Sequence, residues 1–129
     1  IRVFEEEAKK IFCKPASDQE LDHRNYPGGE TRNEFYLRSV EGLWAAANLE
    51  KENLIIVAHK GTVQNIIFRW LGMDMQQVVE HNYSVDVQPA SVTILGVNKW
   101  HEHTIFRLND ISHLTQERGF GVFGFKYEK

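Results

Sequence analysis

Residues 54–67 read LIIVAHKGTVQNII: four aliphatic side chains stop at a histidine, a polar turn follows, and a second apolar series begins. Leu54, Ile55, Ile56 and Val57 run without polar interruption, the pattern of a strand covered on both faces, as in a parallel sheet. Gly61 and Thr62 offer a tight turn and a candidate helix N-cap. Val63, Ile66, Ile67 and Trp70 then recur at helical spacing until Leu71-Gly72 closes the element. The reading is strand, polar turn, helix. In open α/β sheets ligands bind at the turn after a strand's carboxyl end, where the helix N-terminus aims unpaired N–H groups and a positive dipole into the crevice. His59 stands at that turn, a place suited to an anion.

Upstream, Phe35, Leu37, Val40, Leu43, Trp44 and Ala47 predict a long helix over residues 30–52 that packs one face on a sheet, so helix and strand make one αβ unit. Residues 13–29 read as a loop ending in the turn Pro27-Gly28-Gly29. Residues 3–12 predict a short amphipathic helix, acidic at its start and basic at its end as the helix dipole favours. Its apolar stripe is already under way at Ile1, in a chain that does not open on methionine. A truncated or processed chain is the expectation.

Downstream, residues 74–80 predict a further helical turn or two, and residues 81–88 a polar stretch. Residues 90–97 and 100–108 read as two strands joined by an Asn98-Lys99 turn, an antiparallel hairpin. Residues 119–127 alternate glycine with phenylalanine and fit either an edge strand or an aromatic strap.

The 129 residues suffice for one domain, 1–129, and 42% hydrophobic with 12% aromatic residues can build a core. A formal charge of −3 without basic clusters argues against nucleic acid or an acidic membrane as partner. The single cysteine, Cys13, cannot form an internal disulfide, and no apolar stretch approaches the roughly 20 residues that span a bilayer. A cytoplasmic setting is expected.

Five stretches in order carry a family resemblance: Pro27-Gly28-Gly29-Glu30-Thr31; Arg38; Val57-Ala58-His59-Lys60-Gly61-Thr62; the run from Ala90 to Leu95; and the run from Leu108 to Leu114. Over about residues 25–115 the chain resembles the carboxyl-terminal part of the histidine phosphatase superfamily, which includes phosphoglycerate mutases and many broad phosphatases. The resemblance implies a three-layer α/β/α sandwich with a mostly parallel sheet, incomplete here at the N-terminus. It implies a nucleophilic histidine in an Arg-His-Gly motif that takes the phosphoryl group. A second histidine and arginines then neutralise the phosphate oxygens, and a glutamate protonates the leaving oxygen. By motif position His59 looks like the second histidine, with Lys60 beside it at the phosphate, and Glu30 looks like the acid. The implied partner is a small phosphorylated substrate or phosphate, with no cofactor and no metal.

Phosphoryl transfer asks a protein chiefly for positive donors around the phosphate oxygens, and an imidazole at a helix N-terminus is one. Beside that negative charge a carboxyl group should have its pKa raised, which suits an acid at neutral pH. The chain departs from the family at three points. No Arg-His-Gly occurs in it, Lys60 replaces the usual glycine, and Gln64 stands where an arginine is common. Without the family's first strand, a hydrophobic edge is expected to be covered by homodimerisation or by an N-terminal segment.

Blander readings stand beside these. His59 could cap a strand end with its ring satisfied by backbone, Glu30 could serve the helix dipole, and Arg38 reads best as a surface helix residue. His101 and His103 share one face of a strand, and with His113 could hold a metal, but a solvent-facing strand is the better reading. Residues 109–114 read as a structural turn. Two functions follow: a phosphatase or phosphomutase of the histidine phosphatase type, or a catalytically inactive phosphate-binding or interaction module on the same fold. A metal-dependent hydrolase is a distant third.

Overall fold

Residues 2–16 and 20–114 are described by a computed structural model of the chain, with side chains from Glu5 onward. They fall into two units, Ile1–Ser84 and Val85–Lys129. Ile1, the Phe4 side chain and the glycine–phenylalanine tail at 119–127 lie outside the described residues.

The first unit holds four helices: α1 (Arg2–Ile11), α2 (Arg32–Ala47), α3 (Lys60–Trp70) and α4 (Met75–Glu80). Capping chemistry sets their limits. Thr31 accepts from the Glu34 N–H while the Glu34 carboxylate accepts from the Thr31 N–H, a capping box that starts α2. Asp74 and Gln77 do the same for α4. The helix expected over 30–52 is therefore shorter at both ends. α3 stops in a Schellman motif, with the Met73 N–H on the Phe68 carbonyl and the Gly72 N–H on the Arg69 carbonyl. Gly72 sits at φ 77°, where a glycine has no Cβ to clash. α4 ends the same way on Asn82, φ 56°.

Helices α2 and α3 run parallel, side by side. A Cβ built on Gly61 would meet the Phe35 ring at 3.0 Å. One turn further along both helices Asn65 Nδ2 donates to Ser39 Oγ at 3.1 Å. Near their far ends the Arg69 guanidinium lies 5.8 Å from the Trp44 ring centroid. The separation in sequence is nearly constant along these pairs, as parallel helices in register require. The connection must therefore travel back along their length, as the strand of an αβα unit does. The length allows it: α3 is about 16 Å long at about 1.5 Å per residue, and the connection from 48 to 59 is long enough to return along it at about 3.3 Å per extended residue.

That return segment is residues 54–57, and here the expectation is corrected. A doubly buried parallel strand is absent. Leu54 and Ile56 are 42% and 43% exposed, Ile55 and Val57 90% and 94%. The alternation is that of a strand with one face half covered and the other open. No residue from 50 to 58 makes a backbone hydrogen bond among the described residues. A strand is defined by its neighbours, and none is paired with this one. The face of α2 predicted to meet a sheet is covered only in part: Leu43 is buried and Phe35 and Val40 half-buried, whereas Leu37, Trp44 and Ala47 are exposed, and Tyr36 and Ser39 are the other buried positions. The core lies among the helices instead, on Ile67, Phe68, Met75 and Val78.

The second unit holds β1 (Val92–Val97) and β2 (His103–Asp110), an antiparallel pair in the register Val97↔His103 and Leu95↔Ile105. The expected Asn98-Lys99 two-residue turn is corrected to a five-residue loop. Asn98 shapes it: its side-chain oxygen accepts from the Trp100 and Glu102 N–H groups, and His101 takes φ 63°. Glycine at 96 leaves room for the Phe106 ring, which a Cβ there would meet at 2.5 Å. The turn predicted over 109–114 is narrower: Asn109 and Asp110 close β2, and the chain turns at residues 112–114. Asn109, at φ 54°, bonds Thr93 Oγ1 and the Gln88 N–H, and Asp110 accepts from the Ser112 N–H. The described residues thus show helices and a small antiparallel sheet, in place of the expected three-layer sandwich on a parallel sheet. None of their helices is long and apolar enough to cross a membrane.

Candidate functional site

Parallel packing of α2 and α3 puts both N-termini at one end of the helix pair, and the predicted site residues sit there. Glu30 immediately precedes the α2 N-cap, and His59 is the N-cap of α3. Two helix dipoles aligned in one direction place roughly half a positive charge each at that end.

The two termini are chemically unlike. α2 is largely closed: its capping box takes the Thr31 and Glu34 N–H groups, and the Asn33 N–H donates to the Leu21 carbonyl. Arg24 adds to that closure, donating through both guanidinium nitrogens to Glu34 and through one of them to the Gly29 carbonyl. These hydrogen bonds hold the Glu34 carboxyl below the usual carboxylate range.

α3 is open. His59 enters with φ −69° and ψ 155°, and its side chain makes no capping bond. Its carbonyl takes the Val63 N–H at 3.0 Å, whereas the N–H groups of Gly61 and Thr62 have no partner among the described residues. The His59 ring is exposed and bonds no described residue, so the bland reading of a ring satisfied by backbone does not describe it. Lys60, also exposed, opens the helix. An exposed imidazole, a lysine and two free N–H groups at a dipole's positive end make a donor set for an oxyanion.

Glu30 is not a free carboxyl group. Arg38 grips it with both forks, Nε to Oε2 at 2.7 Å and Nη2 to Oε1 at 3.0 Å. These hydrogen bonds, reinforced by charge attraction and only partly opposed by desolvation, hold the Glu30 carboxyl below the usual range. This is opposite in sign to the rise expected beside a phosphate. The reason is that a cation, rather than an anion, is its neighbour.

Arg38 is the residue that sequence reasoning undervalued. It lies on the surface, 63% exposed, but its guanidinium also stands 5.2 Å from the Phe35 ring centroid. The edge of that same ring lies against Gly61 in the first turn of α3. One aromatic ring therefore separates the Glu30–Arg38 pair from the open helix end. The spacing Glu30 to Arg38, a loop residue and the second turn of the next helix, gives no periodic signal from which the pair could be read.

Among the described residues no three His, Cys, Asp or Glu side chains come together as a metal site, and His101, His103 and His113 do not form one. Cys13 is a free, exposed thiol.

Residues 3–111 match the model of the family described as histidine phosphatase superfamily (branch 1). The match begins well upstream of the five motifs and takes in α1. No curated protein and no solved structure matches the chain significantly.

Proposed function

The chain belongs to the histidine phosphatase superfamily, and from that premise we propose that it carries the phosphate-gripping part of a phosphatase or phosphomutase for small phosphorylated metabolites. The observation that carries the reading is the open N-terminus of α3, with His59 exposed and the Gly61 and Thr62 N–H groups unpartnered. His59, Lys60 and those two N–H groups take the phosphate oxygens, so that charge building up in transfer meets fixed donors. Glu30, at the same end of the helix pair, supplies the proton to the leaving oxygen. No Arg-His-Gly stands in these 129 residues, so on this reading they lack the nucleophilic histidine that the covalent phosphohistidine step requires.

The same reading extends to the fold and setting. Residues 54–57 become an inner strand of a mostly parallel sheet within a three-layer sandwich spanning 1–129, paired by an N-terminal segment or by a second copy, in the cytoplasm. The wholly exposed Ile55 and Val57 support this, because a sheet neighbour and a covering layer are what such a segment lacks.

A second reading is a catalytically inactive phosphate-binding or interaction module. Arg38 favours it by holding Glu30 ionised, the wrong state for an acid.

The test is a titration of the isotope-labelled chain with inorganic phosphate, followed by amide NMR. The Gly61 and Thr62 signals should move saturably, and His59→Ala should weaken the effect several-fold. Signals that stay put at millimolar phosphate would remove the proposed grip.

A further inference from the structure

Arg38 forms a bidentate pair with Glu30, yet both partners face solvent, with side chains 63% and 36% exposed. Exposed pairs of this kind are weakly held because water screens them and ordering two long side chains has an entropic cost. A guanidinium fork fits a phosphate as well as a carboxylate, and phosphate monoesters near neutral pH carry more negative charge than the single charge of Glu30. The Phe35 ring, which carries the Arg38 guanidinium at 5.2 Å, also lies against Gly61 at the open end of α3. A competing anion there comes within the working range of a long, exposed arginine.

Resting on the reading above, we propose that Arg38 is shared between two anions. It clamps Glu30 at rest, and it passes to a phosphate oxygen when a phosphate ester settles at the α3 N-terminus, releasing Glu30 toward the ester. Arg38 is thus a substrate-reading residue, and Glu30 is delivered only when a phosphate has displaced it. A monoester dianion is the class of ligand that works this exchange, since a singly charged carboxylate offers Arg38 no gain over Glu30. The Arg24–Glu34 pair does not share the role. It is built into the α2 capping box, and its carboxylate already serves the Thr31 N–H.

The exchange predicts opposite signs for the two halves of one ion pair. Inorganic phosphate titrations of the chain, read at Gly61 and Thr62, should show Glu30→Gln binding about 1.5- to 5-fold more tightly, since phosphate no longer competes for the arginine. Arg38→Gln should bind more weakly by a similar factor. In the double variant the gain from Glu30→Gln should vanish, because the arginine it frees is gone. A merely structural pair would leave the phosphate affinity alone in all three. An affinity gain that persists in the double variant would reduce Glu30 to a general repulsive charge and overturn the exchange. Unchanged affinity in Arg38→Gln overturns it too, while saturable Gly61 and Thr62 shifts in the same experiment keep the phosphate grip. Absence of those shifts in every protein overturns both.

Discussion

Asn65 Nδ2 donates to Ser39 Oγ at 3.1 Å, and the two residues, both buried, lock α3 against α2 about two turns in from the end where His59 and Glu30 stand. Ser39 in turn donates to the Phe35 carbonyl at 2.8 Å. A polar pair at a helix–helix contact specifies register in a way that aliphatic packing does not, since a slip of either helix leaves its groups unpaired.

Ser39→Ala should therefore cost more than an average single hydrogen bond. It leaves the buried Asn65 amide without its acceptor, a penalty of about 1–3 kcal/mol. Urea unfolding should show a lower midpoint at unchanged slope. A loss below a few tenths of a kcal/mol would mean that the pair does not hold the helices together.

The Glu30 and Glu34 carboxyls are held low by Arg38 and Arg24 respectively. A depressed value in the folded chain means that the unfolded chain takes up the proton first as pH falls. The stabilisation is complete above the ordinary glutamate pKa of about 4.3 and drains away as pH drops through the lowered values. Carbon NMR of the glutamate carboxyls should place both midpoints below the ordinary range. Arg38→Gln should return Glu30 upward and leave Glu34 in place.

Gly72 and Asn82 occupy equivalent positions after α3 and α4, both at positive φ. Gly72→Ala should destabilise by about 1 kcal/mol, because the new Cβ is strained there, whereas Asn82→Gly should be neutral or slightly stabilising. Thermal unfolding separates the two, and equal effects would contradict the left-handed caps.

Ile55→Asp and Val57→Asp should cost this chain less than about 0.5 kcal/mol, since water already surrounds both side chains. Ile67→Ala, at a position 1% exposed, should cost about 2–5 kcal/mol. Light scattering should also show less self-association in the aspartate variants, because an uncovered aliphatic segment invites pairing between chains.

Residues 54–67 show where sequence reading succeeds and where it stops. The helix after His59, the short helix at 74–80 and the hairpin follow from local periodicity and turn chemistry, which are properties of neighbouring residues. The starts of α2 and α4 went unread, although Thr-x-x-Glu at 31–34 and Asp-x-x-Gln at 74–77 carry the capping-box pattern. Burial of residues 54–57 was not legible, because a strand's cover comes from other segments, and the aliphatic run records only a preference for being covered. The site divides the same way. His59 is marked by its place at a strand-to-helix turn, whereas the Glu30–Arg38 pair and the Phe35 ring beneath it arise from side chains meeting across a loop, which no spacing rule announces.

Helices aligned head to head repel, since like ends of two dipoles sit together, and the Ser39–Asn65 clasp holds α2 and α3 against that repulsion. An anion seated between such ends acts as a counterion for the architecture itself. Phosphate should accordingly raise the melting temperature of the chain, more strongly in dilute buffer than at about 1 M salt, where the screening length shrinks to about 3 Å. Ligand recognition and fold cohesion would then draw on one and the same electrostatic tension.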